Sequence, residues 1–306
     1  MVSDVSEYDD AVLAEREDRD ALRRVAGLST ELTDISEVEY RQLRLEQVVL
    51  VGVWTTGTAE QAQRSLAELA RLAETAGSQV LDAFVQRRDK PDAATFVGSG
   101  KAAELKQTVA ALGADTVICD GELTPGQLQQ LEKVLGVKVV DRTWLILDIF
   151  AQHARSREGK AQVALAQMNY MLPRLRGWGD AMSRQAGGIG TRGPGETKIE
   201  TDRRRIRARV AKLRRELAAM GTAREVARAS RRRSHVPSVA IVGYTNAGKS
   251  SLLNRLTKAG VLVQDELFAT VDPTVRKART PSGREFTLSD TVGFVRHLPH
   301  QLVESF

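Results

Sequence analysis

The sequence predicts an α/β chain of three folded parts: a parallel α/β domain, a long α-helical hairpin, and the front portion of a second α/β unit. Three observations carry that expectation. Short β-branched runs alternate with helix-forming runs over residues 48–142, the pattern of a parallel sheet. Two long amphipathic segments follow over residues 143–235, around a glycine-rich centre. A β-branched run, a glycine loop and a helix-like run then succeed one another over residues 238–256. The expected boundaries are 1–45 for an acidic leader, 46–142 for the first domain, 143–235 for the hairpin and 236–306 for the last unit.

Taken in order, residues 1–40 hold 12 Asp/Glu against 4 Arg, a net of −8 with few aromatics. That composition reads as a partly disordered leader with one helix around Val12–Ala26. In the first domain the strands are expected at Val48–Trp54, Gln79–Val85, Thr116–Cys119 and Lys138–Asp141. Helices are expected between them at Ala59–Ala76, Gly100–Leu112 and Pro125–Leu135. The element Val97-Gly98-Ser99-Gly100-Lys101 superficially resembles a phosphate loop. It lacks the upstream glycine of GxxxxGK, so a glycine-rich helix start is the plainer reading.

The first hairpin helix is expected over Trp144–Arg174, with Leu147, Phe150, Ala154, Val163, Ala166, Met168 and Leu172 at roughly helical spacing. The second places Ile206, Val210, Leu213, Leu217 and Met220 at three- and four-residue steps, opposite a run of arginines. Packed on each other, about 30 residues at 1.5 Å rise make an arm of roughly 45 Å. Its tip would be Gly177–Gly195, where Trp178 can stack on a base and Arg184 and Arg192 can pair with phosphate. Residues 198–233 hold 14 Lys/Arg against 4 Asp/Glu, a net of +10. Lys198, Arg203, Arg204, Arg205 and Arg207 open that run, and such a concentration is the footprint of RNA binding rather than of a balanced solvated face.

The stretch Gly243-Tyr244-Thr245-Asn246-Ala247-Gly248-Lys249-Ser250 has the full GxxxxGKS spacing, with a strand before it and Ser251 opening a helix after it. Backbone N–H groups of such a loop curl round phosphates, and the helix N-terminus adds partial positive charge. Lys249 would reach the β- and γ-phosphates, and Ser250 would offer its hydroxyl to Mg²⁺. Forty residues after Ser250, the run Phe286–Asp290 ends in Asp290-Thr-Val-Gly293, a DxxG at a strand end. Asp290 is placed to hold the Mg²⁺ water shell, and the Gly293 amide to approach the γ-phosphate. Between the two lies Phe268-Ala-Thr270-Val-Asp-Pro-Thr274, a switch segment whose Thr270 could cap Mg²⁺ in the triphosphate state. This triple pattern marks the front part of a P-loop G domain.

Two positions bear on hydrolysis. Where many regulatory GTPases carry a water-orienting Gln after DxxG, this chain has Phe294, so turnover should wait on a partner surface. Asn246 is similar to the loop Asn of GTPases that use K⁺, the alternative being an Asn that simply tolerates unusual backbone angles.

The motifs GYTNAGKS, FATVDPT and DTVGF, preceded by GGIGTRGPGETKIETDRRRI over Gly187–Ile206, resemble HflX, a family of ribosome-associated GTPases. The resemblance runs from about Val48 to Phe306. It implies GTP with Mg²⁺ at the glycine loop, hydrolysis stimulated by the large ribosomal subunit, and splitting or rescue of stalled ribosomes. It further implies that the tip loop reaches ribosomal RNA near the peptidyl transferase centre. ATP binding outside the G domain is also associated with the family, and Val97–Lys101 is the candidate place for it. One departure stands out: no NKxD motif for guanine occurs, so the guanine-reading half of the G domain is expected to be absent from this stretch, which could leave the chain itself inactive. Guanine specificity rests on the resemblance alone.

Composition limits the rest. With 42% hydrophobic residues, a net charge of +6 and no apolar run near 18 residues, no membrane span is expected. No apolar signal core opens the chain, and Cys119, the single cysteine, reads as a core thiol in a reducing cytoplasm. The expectation is a cytoplasmic monomer, partly bound to ribosomes. An ATP-dependent RNA-remodelling protein or RNA chaperone is the rival reading, and a non-catalytic ribosome-binding protein a third.

Overall fold

The computed structural model describes residues 47–175, 194–233, 236–257, 267–272, 275–280 and 282–295, with backbone alone for 194–199 and 222–233. The leader and residues 177–193 of the expected tip loop lie outside these residues, and Pro194 and Gly195, expected in that loop, begin a helix instead.

Strand β1 (Gln47–Trp54) lies between β2 (Gln79–Arg87) and β3 (Thr116–Asp120), and β4 (Lys138–Asp141) adds beyond β3. Every pairing in this order, β2-β1-β3-β4, is parallel. Parallel neighbours need crossover helices, and α1 (Ala59–Thr75), α2 (Ser99–Leu112) and α3 (Pro125–Leu135) supply them. Two of the three begin with a capping box written in the sequence. Thr58 and Gln61 exchange side-chain to backbone hydrogen bonds at 3.2 Å each way, and Thr124 and Gln127 do the same for α3 at 3.2 and 2.9 Å. Alternation along β1 sends Val48 and Leu50 to one face and Val49 and Val51 to the other. The first pair meets Leu69 and Leu72 of α1, and the second meets Leu105 and Val109 of α2 with Leu131 and Leu135 of α3. Each such side chain contributes roughly 1.5–3 kcal/mol on burial. Both faces of the sheet are therefore covered.

Residues 144–174 do not form the single helix their spacing implies. Helix α4 (Arg142–His153) ends where Ala154 turns to φ −67°, ψ 117°. Ser156 then caps α5 (Arg157–Arg174), its hydroxyl accepting from the Gly159 N–H at 2.8 Å. The two helices bury against different things, which is why the chain breaks. Leu145, Ile146, Ile149 and Phe150 of α4 are buried in the sheet core. Ala161 and Ala164 of α5, with Leu175 just past it, meet Ile206, Val210 and Leu213 of α6 (Pro194–Arg233). Asp141 starts α4 by accepting from the Trp144 N–H at 2.8 Å. Beside it Arg142, 1% exposed, bridges Asp120 at 2.8 Å and Glu68 at 2.9 Å, so the buried guanidinium is compensated.

The second sheet has the order β5-β7-β6, with β5 (Ser238–Ile241) parallel to β7 (Glu285–Asp290) and β6 (Val275–Arg279) antiparallel to it. Helix α7 (Lys249–Thr257) follows β5. A tight turn joins β6 to β7, with the Gly283 N–H donating to the Thr280 carbonyl at 2.8 Å and Gly283 at φ +86°. Among the described residues no helix is long and apolar enough to cross a membrane.

Candidate nucleotide site

The loop Gly243–Ser250 joins β5 to α7, as the strand–loop–helix order requires. Two of its residues take left-handed backbone, Asn246 at φ +56° and Gly248 at φ +79°. An Asn tolerates that conformation, and Gly adopts it without penalty. The loop is tied to the segment after DxxG by two backbone bonds: Phe294 N–H to Gly243 O at 3.0 Å, and Thr245 N–H to Phe294 O at 2.9 Å. This bridge gives Gly293 a second reason to be glycine, because a Cβ there would sit 2.5 Å from Thr245 Cα and 2.7 Å from its N. Tyr244, Asn246, Ala247, Gly248 and Ser251 are exposed.

Lys249 lies across the loop and donates from Nζ to the Tyr244 carbonyl at 2.7 Å. Burial pulls its pKa below the usual lysine range, against the opposing pull of the Asp290 carboxylate. Behind it three oxygens from distant positions meet. Ser250 Oγ donates to Asp290 Oδ2 at 2.5 Å, Thr270 Oγ1 approaches the same oxygen at 3.1 Å, and the two hydroxyls are 2.9 Å apart. Asp290 is fully buried and its Oδ1 accepts from the Thr291 N–H at 3.0 Å. Two hydroxyls and one carboxylate form a hard-oxygen set that fits Mg²⁺, which takes few protein carboxylates and fills its sphere with phosphate and water. No cluster of three His, Cys, Asp or Glu occurs among the described residues, so nothing there competes as a metal centre.

Phe268 is 2% exposed and packs edge-on against Phe150 of α4, ring centroids 4.5 Å apart. Phe294 is 49% exposed and carries no polar group to order water. Thr274 lies outside the described residues, as do Trp178, Arg184 and Arg192, and Lys198 is described by its backbone alone within α6. On α6, Arg203 pairs with Glu200 at 3.2 Å, Arg205 faces Asp202 at 4.0 Å and Arg207 faces Glu200 at 3.9 Å, while Arg204 is exposed. The Val97–Lys101 element is the glycine-rich start of α2: Gly98 at φ +93° caps the helix, and Lys101 pairs with Glu104 at 2.7 Å. Sequence reasoning missed Asp272, which accepts from the backbone of Arg155 and Ser156, because its partners lie more than a hundred positions away.

Three family models match the chain in succession. They are a GTP-binding GTPase N-terminal region over 63–151, a GTP-binding GTPase middle region over 153–231 and a 50S ribosome-binding GTPase over 238–306. The chain is 51% identical over 277 residues to the GTPase HflX of Lacrimispora saccharolytica, covering 90% of this chain and 64% of that protein. To the GTPase HflX of Caldanaerobacter subterraneus it is 53% identical, covering 85% of this chain and 60% of that one. To that of Escherichia coli it is 48% identical, with 85% and 61% covered. The chain thus spans somewhat under two thirds of the length of these relatives. A solved GTP-binding protein from Sulfolobus solfataricus in complex with GDP is 27% identical over 85% of this chain and 65% of its own, at a TM-score of 0.46.

Proposed function

This chain belongs to the HflX family of GTPases, and we propose that it binds and hydrolyses GTP with Mg²⁺ at the Gly243–Ser250 loop while docked on the large ribosomal subunit. The observation that carries this reading is the convergence of Ser250, Thr270 and Asp290 beside a GxxxxGKS loop between a strand and a helix. In this reading Lys249 exchanges the Tyr244 carbonyl for the β- and γ-phosphates, and loop N–H groups hold the rest of the phosphate chain. Ser250 and Thr270 offer hydroxyls to the metal, and Asp290 holds its water shell. Mg²⁺ held through these three residues would supply positive charge beside the phosphates. Phe294 cannot align the attacking water, so the intrinsic rate is low and the ribosomal surface completes the site.

The finer parts of the reading concern the helices. Basic α6 faces ribosomal RNA, with Arg204 and Arg207 the most exposed of its first arginines, and Trp178, Arg184 and Arg192 act near the peptidyl transferase centre. Docking orders Thr270, the subunits of a stalled ribosome separate, and hydrolysis then releases the factor.

The test is GTP and ATP turnover by the full-length protein, with and without purified large subunits, in KCl and in NaCl. GTP preference with strong stimulation by the subunit is the expected result. Preference for ATP, or no stimulation, would replace this reading with an RNA-remodelling ATPase. A higher rate in KCl would bring Asn246 into the site through K⁺; equal rates leave it as the residue that accepts φ +56°.

A further inference from the structure

The segment Leu267–Asp272 has two sets of partners. Thr270 faces Ser250 and Asp290 in the nucleotide site. Its neighbours face the first domain. Leu267, Phe268 and Val271 are buried in the same core as Leu145, Ile149 and Phe150. The Leu267 N–H points to Thr75 Oγ1 at 3.4 Å, and His153 Nδ1 meets the Phe268 carbonyl at 2.8 Å. Phe268 holds φ +58°, a left-handed conformation that a bulky residue keeps only where its surroundings impose it.

Asp272 closes the segment. Its Oδ2 accepts from the Arg155 and Ser156 N–H groups at 2.7 Å each, and its Oδ1 accepts from Ser156 Oγ at 2.5 Å. Those groups form the break between α4 and α5, immediately before the first turn of α5. A carboxylate there also meets the positive end of the helix. Glycine at 159 is what lets Asp272 in, since a Cβ on Gly159 would strike Asp272 Oδ1.

The geometry points to Asp272 as a latch that couples the nucleotide state at Thr270 to the α4–α5 junction. The coupling rests on the assignment of Gly243–Ser250 and Thr270 to a triphosphate site. Two residues of chain reach at most about 7 Å, so Thr270 cannot move far without pulling Asp272 off the α5 N-terminus. Conversely, a docked Asp272 fixes the backbone that presents Thr270, and so favours the triphosphate over the diphosphate. Helix α5 is also the helix on which basic α6 packs, so the latch sits at the root of the helical pair. Asp272 is a positioning residue: it touches neither phosphate nor metal, and acts through Thr270.

Reciprocity supplies the test, because a residue that biases nucleotide choice must itself respond to the nucleotide. Affinities for a non-hydrolysable GTP analogue and for GDP are measured with Mg²⁺ on the full-length protein, its Asp272→Ala variant and its Gly159→Ala variant. Both variants should lose about tenfold in analogue affinity while GDP affinity stays within about twofold. Gly159→Ala displaces the carboxylate without removing it, which separates the latch from a general effect of losing a charge. Hydrogen exchange on the unmodified protein adds a readout that needs no variant: the Arg155 and Ser156 amides should exchange more slowly with the analogue than with GDP. An unchanged analogue-to-GDP ratio in both variants, or equal exchange at these amides in both nucleotide states, overturns the latch and leaves the nucleotide site standing. Failure of the unmodified protein to bind either nucleotide overturns the site and the latch together.

Discussion

The two sheets of this molecule are built from the same kind of strand and end in different conditions. On β1, Val48, Val49 and Leu50 are all fully buried, with helices on both faces. On β5, Val239 is 47% exposed, and Leu252 and Leu256 of the adjoining α7 are 49% and 55% exposed. The first domain closes the face that carries Val49 and Val51 from its own elements. The nucleotide unit shares part of its burial with that domain, through Leu267, Phe268, Val271 and Val295. A β-branched run thus specifies a strand but not its cover, and the stability of the described fold should concentrate in the first domain.

The largest expected effects lie where the two regions meet and in the first core. Phe150→Ala removes a fully buried ring that touches both sides, and should cost about 3–5 kcal/mol in denaturant unfolding. Val239→Ala should stay within about 0.5 kcal/mol; a comparable loss at both positions would break the contrast. Arg142→Ala, which leaves Asp120 and Glu68 without their shared cation, should cost about 3 kcal/mol or more. Equal stability would mean that water reaches this pair. Gly293→Ala acts on the other region, forcing Thr245 to move at a cost of about 1–3 kcal/mol while weakening triphosphate binding. Smallest in energy is the behaviour of Cys119, whose thiol burial pushes well above its usual pKa, with Asp141 and Asp120 adding to the rise. It should react with a thiol reagent only as fast as the first domain unfolds, and rapid labelling of the folded protein would show that core to be looser than drawn.

Much of this architecture was legible locally. The four strands of the first sheet lie within a residue or two of their β-branched runs, since those runs are bounded by caps such as Thr58 and Thr124. The GxxxxGKS run stood out because the phosphate binding proposed for it needs a fixed spacing, while the meeting of the Ser250, Thr270 and Asp290 oxygens spans 40 positions. The break at Ala154–Ser156 was missed because apolar residues at helical steps lie on both sides of it, although the polar run Arg155–Lys160 between them, opened by the capping Ser156, interrupts the stripe. Strand β6 was missed because its Val-Arg-Lys-Ala-Arg sequence suits an exposed edge and gives little apolar signal. The docking of Leu267–Asp272 has no local signature at all, since its partners are set by the tertiary fold.

The central claim is that Gly243–Ser250 is a magnesium-dependent GTP site, and titration of a fluorescent GTP analogue tests it most directly. Full-length protein and its Lys249→Ala variant are compared with Mg²⁺ and with EDTA, after matching their melting temperatures. Saturable Mg²⁺-dependent binding that weakens about a hundredfold or more on removing Lys249 is the predicted result. Equal affinity in the two proteins would contradict the assignment and move the phosphate site elsewhere in the molecule.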